Sequence, residues 1–143
     1  MSVPPPPPAG FEQAPTIDEN LWSALCHALA LATGFIGVPG FVAPLVILFT
    51  QAKKSTRVRI NAVEALNFQL NLLSIQVIFI AAIFAAIIDL NELSATKLVS
   101  VIAILLVVGI ALGLYTLVMP IIAAVPTSNG ENYRYPLTLR LVK

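Results

Sequence analysis

Two uninterrupted uncharged runs, Ala65–Ile88 and Leu98–Met119, limit this chain more than any other feature. As helices rising about 1.5 Å per residue they reach roughly 36 and 33 Å, enough to cross a hydrocarbon core of about 30 Å. A soluble fold would have to bury both runs, and the rest of the chain cannot cover them. Charged residues are 10% of the sequence, against about 25% in soluble domains. The expected fold class is therefore an all-α integral membrane protein.

Asp89, Asn91, Glu92, Ser94, Thr96 and Lys97 separate the two runs. A short polar turn between long apolar segments predicts an antiparallel helical hairpin, with helices over 61–89 and 97–124. Pro120 and Pro126 are expected to close the second helix. Upstream, Thr16 and Glu19 have capping-box spacing and open a helix over 17–33. Three glycines and Pro39 within residues 34–40 break that helix, and a second short one follows over 41–52. The stretch 21–52 is uncharged. It forms either a kinked crossing or a re-entrant hairpin, and the residues alone leave both open. Residues 1–15 hold Pro4 to Pro8 in a row and are read as a disordered proline-rich tail. Residues 16–143 then make a single helical transmembrane domain of about four helices.

Bases sit mainly at one end of this plan. Lys53, Lys54, Arg57 and Arg59 lie within seven residues, and Arg134, Arg140 and Lys143 lie in the C-terminal segment. The 89–97 turn has only Lys97. The excess of bases predicts a multi-pass protein of the cell (inner or plasma) membrane with the 53–59 loop and the C-terminus cytoplasmic. The same four bases at 53–59 are candidate ligands for anionic lipid head groups. A net charge of +1 argues against a nucleic-acid partner. The expected partner is the lipid bilayer, with a second copy or other membrane proteins as further candidates.

Polar residues within the apolar segments need partners. At 100° per residue, Glu64, Asn67, Asn71 and Ser74 fall within about 80° of one another, while Gln69 and Gln76 fall on the opposite side. Polar side chains do not face lipid unpaired. The two rows therefore predict interhelical hydrogen bonding or, alternatively, the wall of a polar path. Glu64 is expected to pair with Arg57 or Arg59. His27, beside the lone Cys26, is read as a hydrogen-bonded packing residue, since no neighbouring ligands point to a metal. No nucleophile with a base, phosphate loop or carboxylate pair is present, so neither an enzyme nor a cofactor is expected. Tyr133, Arg134, Tyr135 and Pro136 suit a membrane interface. Tyr133, Tyr135, Leu137, Leu139 and Leu141 recur at period two, which predicts an extended, half-buried segment.

Four stretches, LWSALCHALAL at 21–31, VAPLVILFTQAKK at 42–54, NAVEALNFQLNLL at 61–73 and GENYRYPLTLRLV at 130–142, resemble a known group. They are similar to the small bacterial and archaeal membrane proteins related to the Tic-type import component of the inner chloroplast envelope, largely a domain of unknown function in bacteria. The resemblance covers about residues 20–143. It implies a four-helix membrane fold with a short first pair and a long second pair. It assigns His27, Pro44, Glu64, Asn67, Phe68, Gln69, Tyr133, Tyr135 and Pro136 as family positions. The function expected on these grounds is an interaction or translocation-associated component of a membrane complex. The alternatives are a small channel lined by polar residues of the helix at 61–89, and a lipid-interacting structural membrane protein.

Overall fold

The computed structural model describes residues 16–35, 37–88 and 94–143. The proline-rich tail at 1–15 and the 89–93 part of the polar turn lie outside the described residues. Four helices make up the fold: α1 (Ile17–Phe35), α2 (Val42–Thr50), α3 (Thr56–Ile88) and α4 (Ala95–Ser128). No strand occurs among the described residues.

Local chemistry accounts for most helix ends. The backbone N–H of Thr16 donates to Glu19 Oε2 (3.1 Å), and that of Glu19 donates to Thr16 Oγ1 (3.3 Å). This reciprocal pair starts α1 where the capping box placed it. Past Phe35 the chain turns through Gly37 at φ 77°, and the Val38 N–H reaches back to the Thr33 carbonyl (3.0 Å). Glycine adopts this left-handed conformation at little cost. Ser94 caps α4 by accepting from the Lys97 N–H (3.5 Å).

Two boundaries differ from the sequence expectation. Helix α3 begins at Thr56 rather than 61, so Arg57 and Arg59 lie in its first turn. Bases oppose the helix dipole there, but Arg57 finds acceptors on other segments. Helix α4 passes through both Pro120 and Pro126 and ends at Ser128. Pro120, Ala123 and Thr127 are buried on its packed side, and the Thr127 hydroxyl donates to the carbonyls of Ala123 (2.9 Å) and Ala124 (3.0 Å). Packing of this side offsets the loss of the two N–H donors. The stop comes instead at Gly130, with φ 99°.

Helix α1 packs chiefly on α4 and then α3, and α2 packs on α3 and α1. Asn20 at the start of α1 accepts from Arg57 at the start of α3 (2.8 Å). Gly40, in the α1–α2 bend, lies against Gln69, about 20 Å up α3 at 1.5 Å per residue. The chain therefore rises along α1, bends, and returns along α2 to the end where it started. This geometry selects the hairpin over the kinked crossing for residues 21–52. The result is a four-helix base from which the far parts of α3 and α4 project as a two-helix shaft.

Both α3 and α4 contain windows long and apolar enough to cross a membrane. Only 6% of the residues in the first window and none in the second are buried within the fold. Core helices of soluble proteins are mostly buried, so these exposed apolar faces need another cover, and lipid supplies it.

Candidate functional site

The polar residues of α3 divide between two faces, as their helical spacing requires. One face carries Asn61, Glu64, Asn67 and Asn71, and its partner is the C-terminal segment of the same chain. Residues 131–136 rise along α3, turn at Pro136–Leu137, and descend again to Lys143. Asn61 Oδ1 accepts from the Tyr133 N–H (3.2 Å), and Asn61 Nδ2 donates to Asn132 Oδ1 (3.1 Å). Asn67 Oδ1 accepts from the N–H groups of Leu141 (2.9 Å) and Val142 (2.7 Å), while Asn67 Nδ2 donates to the Val142 carbonyl (2.9 Å). Asn71 Nδ2 donates to the Leu139 carbonyl (2.8 Å), and its Oδ1 accepts from the Leu139 N–H (3.2 Å). A side-chain amide offers the same donor and acceptor as a peptide group, so these residues act as a short substitute for a neighbouring strand. They satisfy backbone groups of a segment with no regular secondary structure of its own.

Glu64 joins the same strap. Its Oε1 accepts from Arg140 Nε at 2.9 Å. The expected pairing with Arg57 or Arg59 is not formed. Arg57 turns inward instead, donating to Asn20 Oδ1 (2.8 Å) and to the carbonyls of Thr127 (3.2 Å) and Glu131 (3.0 Å). It therefore ties together three segments of the base and is half-buried, unlike the exposed Lys53, Lys54 and Arg59. Arg59 reaches the Lys143 carbonyl at 3.5 Å.

Aromatic rings hold the rising limb of the strap. Tyr135 is buried and stacks on Phe68 with ring centroids 3.9 Å apart. Its hydroxyl lies 2.9 Å from His27 Nδ1. Tyr133 meets Tyr135 edge-on at 5.2 Å and His27 at 6.3 Å. The Tyr115 hydroxyl donates to the Pro136 carbonyl (3.2 Å). Each aromatic pair contributes about 0.5–1.5 kcal/mol beyond its buried area. Burial, then the neighbouring Tyr133, pushes the Tyr135 hydroxyl far above its ordinary pKa, so it stays protonated. Arg134 and Pro136, between and beside these rings, are exposed.

The period-two expectation holds only as far as Tyr135. Leu137 takes a left-handed backbone (φ 57°), and this turn reverses the chain. Leu137, Leu139 and Leu141 are then 98%, 69% and 61% exposed rather than half-buried. Asn61, Tyr115 and Arg140 are site residues that the sequence did not single out, and Phe68 entered only as a position implied by the resemblance. Asn61 continues the i, i+3, i+6 and i+10 series of the asparagine row and carried a usable signal. Arg140 carried none, because its pairing depends on the strap doubling back.

The opposite face of α3 carries Gln69 and Gln76. Both line an open groove of ≈ 670 Å³ between the α1–α2 bend and the middle of α3 and α4. Gly109 and Gly113 also border it. A side chain at Gly113 would meet nothing within 4 Å, and one at Gly109 would touch only Phe79. Gly113 thus borders open space, while Gly109 lies against Phe79 of α3. Asn67 and Asn71 are on the other face and spent on the strap, so the polar rows do not together wall one path. Among the described residues no group of three His, Cys, Asp or Glu side chains could hold a metal.

Comparison with known families bears on the same stretch of chain. The model of the magnetosome magnetite crystal formation protein family (MamF/MmsF) matches residues 18–142. The match corrects the resemblance to the Tic-type import component, and the expectation of a translocation-associated role loses the support that resemblance gave. Two of the four fragments that carried the resemblance, 21–31 and 42–54, are largely apolar helix. Lipid selects such composition in unrelated proteins, so it is a poor guide to ancestry. No curated protein and no solved structure matches the chain.

Proposed function

This chain belongs to the magnetosome magnetite crystal formation protein family, and from that premise we propose that it is a non-catalytic membrane component of magnetite crystal formation. The family match over residues 18–142 carries the reading. The fold supports it physically. The shaft of α3 and α4 has its apolar faces open to lipid, and the base gathers seven of the eight Lys and Arg residues at one end.

In this reading both long helices cross the magnetosome membrane, with the base and the C-terminus on the cytoplasmic side. The chain between α3 and α4, with Asp89 and Glu92, then faces the compartment in which the crystal grows. Carboxylates are iron ligands in ferritin-like di-iron proteins, and this pair would present them at the mineral side. The test is replacement in a magnetosome-forming strain that lacks its own family member. An N-terminally tagged copy should appear in purified magnetosome membranes and restore crystal size by electron microscopy. Asp89→Asn/Glu92→Gln should reach the membrane and restore size less well. A folded wild-type copy that reaches the membrane and leaves the crystals unchanged would remove the proposal.

The groove beside Gln69, Gln76, Gly109 and Gly113 supports one addition. A further transmembrane helix, from a second copy or another membrane protein, would find small residues for close approach and two amides to bond. Cysteine crosslinking from Gly113→Cys in native membranes should trap such a neighbour. Its absence would leave the groove to lipid.

A further inference from the structure

We infer that the C-terminal strap is an in-plane membrane anchor, with Leu137, Leu139 and Leu141 in the acyl region and Arg134 and Lys143 on the phosphates of anionic lipids. The inference rests on the membrane placement of α3 and α4, and is independent of any role in crystal formation.

Depth is the first argument. Glu64 is the last charged residue of α3 before its uncharged run, and its pair with Arg140 marks the level where charge is tolerated. Leu139 is bonded to Asn71, seven residues further along α3, which is about 10 Å at 1.5 Å per residue. Apolar faces of interfacial segments lie about 5–10 Å into the boundary between head groups and acyl chains. The turn of the strap reaches that depth while its charged residues stay at the level of the base.

Residue choice is the second argument. Leu137 occupies a left-handed turn position at 98% exposure. Water would favour glycine or asparagine there, on both backbone and solvation grounds. In acyl chains the leucine side chain is at home. Leu139 and Leu141 are also largely exposed, and they alternate with Arg140 and precede Lys143.

The asparagine row supplies the third argument. Irregular backbone is tolerated at membrane depth only where protein satisfies its polar groups. Asn67 and Asn71 do so for Leu139, Leu141 and Val142. A strap lying in water would need no such provision. Lys53, Lys54 and Arg59 are exposed at the same end and extend the positive rim. Each base near an anionic surface adds to the attraction.

The test uses the full chain in vesicles of phosphatidylcholine with and without phosphatidylglycerol. Leu139→Cys is labelled with an environment-sensitive fluorophore, the buried Cys26 being replaced in the Cys26→Ala background. The label should emit as in an apolar medium, be quenched by spin labels high on the acyl chains, and resist an aqueous quencher. Spin-labelled phosphatidylglycerol should associate at least about twofold more than spin-labelled phosphatidylcholine, and Arg134→Gln/Lys143→Gln should lower that preference. Helical circular dichroism and flotation with vesicles verify folding and insertion in each variant. A label open to the aqueous quencher in inserted, folded protein would overturn the inference. So would equal association of the two lipids, or a preference unchanged in the Arg134→Gln/Lys143→Gln variant.

Discussion

Asn67→Leu tests whether side-chain amides on α3 hold the strap. Asn67 is fully buried and makes three hydrogen bonds to the backbone of Leu141 and Val142. Leucine keeps the branch at Cγ, so the change removes the bonds while retaining the side-chain shape, at the cost of some added bulk. At about 0.6–1 kcal/mol for each bond, docking of the strap end weakens by about 2–3 kcal/mol. The loss is limited at that level because the released strap end moves out to the level of the head groups, where its backbone finds water instead of remaining unpaired. At 1.36 kcal/mol per tenfold change, this is a rise of about 30- to 150-fold in the open population. Amide hydrogen exchange of Val142 in detergent or discs reads that population directly. Its protection should fall by that factor while amides within α3 keep theirs. Val142 protection within about threefold of wild type in a folded Asn67→Leu protein would refute the account, because the strap would then be held by something other than the amide row.

Gly40→Ala should destabilise the base by about 1–3 kcal/mol, since the new Cβ would lie 2.5 Å from Gln69 Oε1 and 2.9 Å from the Ala30 carbonyl oxygen. Adding Gln69→Ala should recover only part of the fall in thermal midpoint, because the Ala30 contact is backbone. Tyr135→Phe keeps the stack on Phe68 but strands His27 Nδ1, and should lower unfolding free energy by about 1–3 kcal/mol; Tyr135→Ala should cost about 3–5 kcal/mol, and a larger loss for Phe than for Ala would contradict the stacking role. The Glu19 carboxyl is held below its ordinary pKa, first by a hydrogen bond from the Ser55 side chain and then by the Thr16 N–H. A lowered carboxylate pKa stabilises the fold above its ordinary value, and that contribution is lost as pH falls through the lowered one. Exchange at the start of α1 should therefore quicken below about pH 4, and Glu19→Gln should abolish that step.

Solvation and local chemistry reach the eye directly in a linear chain. The runs at 65–88 and 98–119 announce lipid because no partner segment in the chain could cover them. The Thr16/Glu19 cap and the glycine break near Gly37 depend on neighbours within a few residues, so they too were legible. The two polar faces of α3 were visible as angles on a helix, since 100° per residue needs no tertiary knowledge. What lay opposite each face was not visible. Asn67 meets Val142 and Glu64 meets Arg140 only because Leu137 takes a positive φ and sends the chain back on itself. A leucine in that conformation leaves no periodic trace, and the leucines beyond it read as a continuing strand. The return of α2 to the end where α1 began had the same cause: uncharged residues 21–52 suit a crossing and a hairpin equally in composition. Contact of Gly40 with Gln69, and of Asn20 with Arg57, decided between them. Pairings between residues some 30 to 75 positions apart depend on where rigid helices place each end of the chain, and only the packed structure supplies that.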